Sequence, residues 1–174
     1  MRKKFFIVLF SCSIFSSGCN ENIIDAGEYG TGDDYEIYKK ILNGKYSESG
    51  YLIVLNDSTF GEHYDSLTVP YFCGQIPGLY AETVIDYINI NNERIKLRNI
   101  PGFKNYVFSS KYQEKEINAT HIAFSRIGYD KSKSQAVLTI AQSYRGWDGS
   151  GFLYFMKKEG NRWRIDKIIG TWIS

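Results

Sequence analysis

One short segment combines the residue types that suit recognition of a ligand. It covers residues 144–151 and contains Tyr144, Arg145, Trp147 and Asp148 among three glycines. An aromatic ring flanked by a guanidinium and a carboxylate can stack on a sugar ring or on a partner surface while the charges supply hydrogen bonds. We therefore treat these four residues as a candidate contact site. The alternative is a hairpin turn whose Trp147 packs back onto a sheet.

Cys73 offers a second kind of chemistry. A thiolate becomes a nucleophile when a nearby histidine takes its proton, and the sequence has only two histidines, His63 and His121. Such a pair predicts a small hydrolase. The opposing interpretation is that a cysteine between Phe72 and Gly74 is a small buried apolar residue. Since none of the common spaced nucleophile motifs occurs, the hydrolase is kept as the alternative hypothesis, and the leading hypothesis has no catalytic residues.

Metal and cofactor chemistry is not indicated by any spacing in the sequence. Metal sites show spaced His, Cys, Asp and Glu residues, and the nearest group is Glu62, His63 and Asp65 on a predicted loop. The run Asp148–Gly151 is too short for a calcium-binding loop. The sequence therefore predicts no metal ligands and no cofactor.

The N-terminus has the layout of an export signal. Residues 2–4 are basic, residues 5–15 are largely apolar, and residues 16–18 are small and directly precede Cys19. The apolar stretch is shorter than the roughly 20 residues that a membrane-spanning helix needs. Phe15–Cys19 is similar to a bacterial lipobox in which Ser replaces the usual Leu. We predict a lipoprotein signal peptide over 1–18 and an acyl anchor (palmitate or a similar chain) on Cys19; ordinary secretion with a free cysteine is the alternative.

Removal of this signal changes the charge that the sequence presents to partners. Lys and Arg fall from 21 to 18 against 19 Asp and Glu, so the formal charge falls from +2 to −1. A domain with this balance is not expected to bind nucleic acid. The expected location is the bacterial cell envelope, attached to a membrane through the lipid. Asn20 stands where some inner-membrane lipoproteins have Asp, which favours the outer membrane.

The rest of the chain divides into a tether and one domain. Residues 19–32 are polar and glycine-bearing, typical of a tether, and residues 33–174 have the length of a single domain. In its first half we predict a helix over Tyr35–Leu42, capped by Asp33 or Asp34 and ended at Asn43-Gly44. A buried strand follows over Tyr51–Leu55, and then a loop over Gly61–Gly78. We predict a second helix over Ala81–Ile90, where the β-branched residues leave a strand as the alternative.

The last third has the clearest pattern. Four strand-like runs are separated by short linkers rich in turn residues, which is typical of antiparallel neighbours. The sequence predicts an α+β domain in which a four-stranded antiparallel meander is covered on one face by one or two N-terminal helices. The four runs are His121–Tyr129, Gln135–Tyr144, Gly151–Lys158 and Arg162–Ile173.

The same third resembles a known family. Ser125–Asp130 (SRIGYD) followed by Gln135–Leu138 (QAVL) is similar to the S-R-V-G-F-N … Q-A-L-V block of a family of uncharacterised, mostly bacterial, exported proteins. Gly151–Met156, Gly160–Trp163 and Thr171–Ser174 match the remainder of that block. The resemblance implies hairpins with core aromatic residues. No activity is known for this family, so the resemblance implies none for this chain. Our leading hypothesis is a non-catalytic, membrane-anchored domain that binds an envelope protein or glycan; a permanent subunit of an envelope assembly is a third possibility.

Overall fold

The computed structural model describes most of the predicted domain. It covers residues 23–24, 32–47, 50–61, 64, 67–104, 106–111, 119–144 and 148–173, with backbone alone at 23–24. The predicted signal peptide, Cys19, most of the tether, His63, Arg145 and Trp147 lie outside these residues.

Three helices and two sheets make up this part of the chain, so the predicted α+β class is confirmed. The larger sheet has seven strands in the order β4-β2-β5-β7-β8-β9, with β6 paired to β7. The helices are α1 (Asp33–Tyr46), α2 (Thr68–Gln75) and α3 (Ala81–Ile90). The strands are β1 (Ile23–Ile24), β2 (Leu52–Leu55), β3 (Arg94–Ile95), β4 (Tyr106–Phe108), β5 (Ala119–Phe124), β6 (Gly128–Tyr129), β7 (Gln135–Tyr144), β8 (Asp148–Glu159) and β9 (Arg162–Ile173).

The C-terminal strands belong to a larger mixed sheet and do not stand alone. β5, β7, β8 and β9 pair antiparallel with their neighbours, and β2 joins β5 in parallel while also pairing in parallel with β4. The predicted first run is divided, because β5 ends at Phe124 and the chain resumes pairing only at Gly128. Parallel pairing joins segments that are distant in sequence, so local alternation did not indicate it.

Helices cover both faces of the sheet, which corrects the expectation of one covered face. Alternate residues of β7 face opposite ways: Ala136 and Leu138 pack with α1, whereas Val137 packs with α2 and α3. Nine of the ten positions of β7 are buried. A strand buried on both sides reads as a nearly continuous apolar run, and Ala136–Ala141 (AVLTIA) has this pattern apart from Thr139.

Helix α1 is longer than predicted and begins differently. Its predicted apolar stripe is buried, but the helix continues past Gly44 because Tyr46 is buried one turn further on. That burial offsets the roughly 1 kcal/mol that a glycine costs in a helix. The N-cap position is Gly32, without a side-chain cap hydrogen bond. The prediction that Asp33 or Asp34 caps the helix was therefore wrong; both are helical residues with other partners.

Helix α2 corrects the predicted loop over 61–78. Pro70 is tolerated because it is the third residue of the helix, where the backbone N–H has no intrahelical acceptor. Phe72 is buried against the sheet. The prolines and glycines of this segment favour a loop in the sequence, whereas burial of Phe72 stabilises the helix in the fold. Helix α3 has the bounds that were predicted for it.

Two residues of the predicted tether take part in the fold. Ile23 and Ile24 form β1, which pairs in parallel with β3. Strand β3 lies beside the chain that follows β2, because the Ile95 N–H donates to Thr59 Oγ1 and Ser58 bridges to Lys96. These two residues are thereby held near the C-terminal end of β2.

Close packing of α3 on β6 generates a stability prediction. A Cβ atom at Gly128 would lie 2.4 Å from backbone atoms of Tyr87. We expect Gly128→Ala to lower the free energy of unfolding by about 1–3 kcal/mol through overpacking. Gly44→Ala is the control, since nothing lies within 4 Å of its added Cβ, and should raise stability by up to about 1 kcal/mol. Equal urea midpoints for Gly128→Ala and the wild type would refute the close approach.

Candidate functional site

The predicted contact segment lies at the tip of the β7–β8 hairpin. Tyr144 ends β7 and Asp148 begins β8, and the two residues are paired across the ladder. Tyr144 is 43 % exposed and Asp148 is also exposed. Arg145 and Trp147, between them, lie outside the described residues. Beside the tip, Ile173 of β9 is paired with Ser150 and is 90 % exposed. The two described members of the candidate site are thus together and open to solvent.

Hydrogen bonds beneath the tip connect it to α1. The Tyr46 hydroxyl donates to Gln142 Oε1 at 2.6 Å, and Gln142 Nε2 donates to Ser150 Oγ at 3.1 Å. Burial raises the pKa of Tyr46, and the neighbouring hydroxyls of Tyr154 and Tyr144 raise it further. The last turn of α1 therefore supports the two strands that carry Tyr144 and Asp148.

Two further side chains, Tyr154 and Lys45, lie between α1 and β8, on the face of the sheet that α1 covers. Burial raises the pKa of Tyr154 to about 12, and its hydroxyl is buried with no hydrogen-bond partner among the described residues. Lys45 Nζ lies 3.8 Å from the centroid of the Phe152 ring, a cation–π contact. Burial lowers the pKa of Lys45. Sequence patterns did not single out Tyr46, Gln142 or Tyr154, because their neighbours come from other elements.

A second cluster of polar residues lies at the opposite end of the sheet. Asp33 accepts hydrogen bonds from Lys158 Nζ at 2.9 Å and from Trp163 Nε1 at 3.0 Å. The Tyr129 hydroxyl donates to Asp34, and the rings of Tyr129 and Trp163 are 5.8 Å apart. These contacts attach the first turn of α1 to β6, β8 and β9, so the cluster is accounted for as a structural clamp.

The two carboxylates of this clamp have opposite pKa shifts. Burial alone would raise the pKa of Asp33, but the hydrogen bonds from Trp163 and Lys158 outweigh it and the pKa lies below its usual value. For Asp34 burial dominates, and the pKa is raised despite the hydrogen bond from Tyr129. Asp33 is therefore ionised more readily than Asp34.

The proposed nucleophile and its histidine do not converge in the described residues. Cys73 is half-buried in α2 and packs on a cluster that includes Leu153, and burial raises the pKa of its thiol. His121 is paired with Ser143 on β7. Ser143 is four residues, roughly 13 Å, beyond Thr139, the partner of Leu153. His63 is not described. The hydrolase hypothesis gains no support here and stays a prediction.

The described residues also lack two other features of interest. Among them, no three His, Cys, Asp or Glu side chains converge in a way that could hold a metal ion. No helix in the described ranges combines the length and apolar character needed to cross a bilayer. Cys19 lies outside these ranges, and its lipidation stays a prediction.

Comparison of the sequence with protein-family models, with curated proteins and with solved structures found no match. The resemblance of the C-terminal third to a family of exported proteins therefore stays a prediction. The site has to be interpreted from its own residues.

The opposite pKa shifts of the clamp predict different effects of two amide substitutions. A lowered folded-state pKa adds stability above the usual value of 3.8, and this stability is lost as the pH falls through the folded-state pKa; a raised pKa adds stability below 3.8 that is lost as the pH rises through the folded-state pKa. We expect Asp33→Asn to cost about 1 kcal/mol near neutral pH, and progressively less as the pH falls below 3.8. Asp34→Asn keeps an oxygen that accepts from Tyr129 and should be no less stable than wild type at neutral pH.

Urea unfolding of both variants and the wild type at neutral and acidic pH measures these differences. If Asp34→Asn is the more destabilising variant at neutral pH, then Asp34 rather than Asp33 is the carboxylate that stabilises the clamp in its ionised form.

Proposed function

We propose that this protein is a lipid-anchored bacterial envelope protein that works as a non-catalytic binding domain, with the tip of the β7–β8 hairpin as its contact surface for an envelope glycan or protein. The observation that carries the proposal is the exposure of Tyr144 and Asp148 side by side at the end of a rigid hairpin. A supported aromatic ring beside a carboxylate fits a recognition role.

The tip lies at one end of a long ladder of the sheet. The β7–β8 ladder extends from the pair Gln135–Lys157 to the pair Tyr144–Asp148, which is roughly 30 Å at the rise of an antiparallel strand. Helix α1 begins at the other end, where Asp33 contacts Lys158. The exposed side chains of the tip are therefore well separated from the contacts that hold the first turn of α1, and a partner could bind the tip without disturbing them.

The composition of the tip favours a glycan over a protein as the partner. Sugars are recognised by an aromatic face together with hydrogen-bonding side chains at its edge, and Tyr144 has Asp148 opposite it with Gln142 and Ser150 just behind. The exposed Ile173 would add apolar contact in either case. Within this proposal, β5, β7, β8 and β9 act as the antiparallel meander predicted from the sequence, and the family resemblance implies export of the whole unit.

Intact mass of the protein purified from its native membrane tests the anchor. We expect the mass of residues 19–174 plus acyl chains, because the signal ends at Gly18 and Cys19 becomes the lipidated first residue. The Cys19→Ser variant should lose the acyl mass. A mature protein without acyl chains in the wild type would contradict the anchor and would indicate a secreted or periplasmic domain.

Cosedimentation with isolated peptidoglycan tests the contact surface. We expect Tyr144→Ala and Trp147→Ala to weaken binding about tenfold each while leaving the melting temperature nearly unchanged. Tyr80→Ala is the matched control, since Tyr80 is 51 % exposed and lies away from the hairpin. If peptidoglycan does not bind, the same variants are compared for a protein that co-purifies in mild detergent. If both variants bind peptidoglycan and the co-purifying protein as well as the wild type does, the hairpin tip is not the binding surface.

A further inference from the structure

We propose that the outer faces of helices α2 and α3 form a docking surface for a second copy of this chain. This surface, the charge-free face, combines the exposed side of α2 with the neighbouring exposed side of α3. The inference goes beyond the proposed function and does not depend on it. The residues of the charge-free face are Leu67, Pro70, Tyr71, Gly74, Ala81 and Ile85.

The two helices lie in one layer on the same side of the sheet. Phe72 of α2 is buried in one cluster with Val84 and Tyr87 of α3 and with Val137 of β7. The helices also contact each other directly. Because both inner faces point at the sheet, both outer faces point to solvent in the same direction. The exposed residues of α2 and α3 therefore belong to one continuous surface.

Large apolar side chains recur on this surface at helical spacing. Leu67 and Tyr71 are four residues apart on α2, and Ala81 and Ile85 have the same spacing on α3, so each pair shares a face of its helix. Leu67, Tyr71 and Ile85 are 68, 56 and 48 % exposed. The largest apolar patch on a monomer is typically about 300–600 Å² and is often functional. These three side chains, with the small residues between them, form a patch of that kind.

The composition of the face indicates a protein as its partner. Residues 67–81 are fifteen consecutive positions without Lys, Arg, Asp or Glu, in a chain of which 23 % is charged. Depletion of charge together with exposed tyrosine marks the centre of protein–protein interfaces. A helix that lies on a membrane carries Lys or Arg beside its apolar face, and residues 67–90 contain neither. The face therefore fits a protein surface better than a lipid surface.

The charges that border the face make it complementary to itself. Glu82 is exposed in the first turn of α3, and Lys167 of β9 donates from Nζ to the Gln75 carbonyl, at the C-terminal end of α2, at 2.6 Å. A two-fold axis between these two helix ends sets Lys167 of one copy opposite Glu82 of the other, and the reverse. The same axis places the charge-free face against itself, which brings no like charges together. A second copy of the chain thus satisfies both the apolar centre and the charged border.

The size of the face predicts a reversible dimer. Interfaces that bury less than about 1,200 Å² in total, or about 600 Å² from each copy, are typical of transient complexes. The charge-free face is of this size, and obligate dimers use considerably larger surfaces. We therefore expect a dissociation constant of the order of micromolar.

Sedimentation velocity of the unlipidated chain tests the contact. The protein from Asn20 onward contains every residue that the structure describes. At about 100 µM it should be mostly dimeric, because this concentration lies well above a micromolar dissociation constant. Tyr71→Glu should raise the dissociation constant about 100-fold, at roughly tenfold for each copy, because the substitution enters the two-fold contact twice. Ile85→Glu repeats the test on α3.

Tyr51→Glu is the matched control. Tyr51 is 48 % exposed and directly precedes β2, outside the layer formed by α2 and α3. This variant introduces the same charge and should dimerise like the wild type. Thermal unfolding of each variant shows whether the fold is retained.

A mixture of two variants identifies the occupant of the face. Tyr71→Glu and Tyr71→Lys should each be monomeric alone, whereas their equimolar mixture should dimerise because the two faces then carry opposite charges. A monomeric wild type, a mixture that stays monomeric, or an equal loss in Tyr51→Glu would each overturn the proposal. Binding of a monomeric wild type to phosphatidylcholine vesicles, lost in Tyr71→Glu, would also overturn it and would identify a lipid surface as the occupant.

Discussion

The fold depends on the burial of strand β7 between helices on both of its faces. Ala136, Leu138 and Ile140 contact the side covered by α1, while Val137 and Thr139 contact the side covered by α3. β5, β6 and β8 all pair with this one strand. Apolar burial contributes roughly 25 cal/mol per Å². Strand β8 is likewise covered on both faces, through Tyr154 on one side and Leu153 on the other, but β7 is the strand with which three others pair. The remaining elements take their positions from it.

The two ends of the long β7–β8 ladder carry different kinds of side chain. At one end the clamp of Asp33, Asp34 and Tyr129 fixes α1. At the other end, Tyr144 and Asp148 are exposed above a hydrogen-bonded layer in which Tyr46 binds Gln142. The polar groups of the clamp are thus used to hold a helix, whereas those of the tip are open to solvent. Cys73 lies on α2 and His121 on β5, and a catalytic pair of Cys73 with a histidine stays a prediction.

Prediction from sequence succeeded where an element carries its own signal. The helical spacing of Val84, Ile85 and Ile88 predicted α3, although its buried face is made by Thr83, Val84 and Tyr87. The strand-like runs at 135–144 and 162–173 predicted β7 and β9. Prediction failed at α2, where Pro70 and Gly74 suggest a loop, because the stabilising burial of Phe72 is a property of the assembled core. For the candidate site, the sequence located Tyr144 and Asp148 but not the residues that support them.

The sequence by itself determined the type of the strongly periodic elements and, for α3, β7 and β9, their bounds, since these depend on neighbours only a few positions away. Only the tertiary structure decided that β2 and β4 join the sheet in parallel and that helices cover both faces. It also decided that Tyr129 meets Asp34 and that Tyr46 meets Gln142, across 95 and 96 residues of chain. Such contacts arise when separate elements pack on a shared core, and no local pattern encodes which partner each side chain will find.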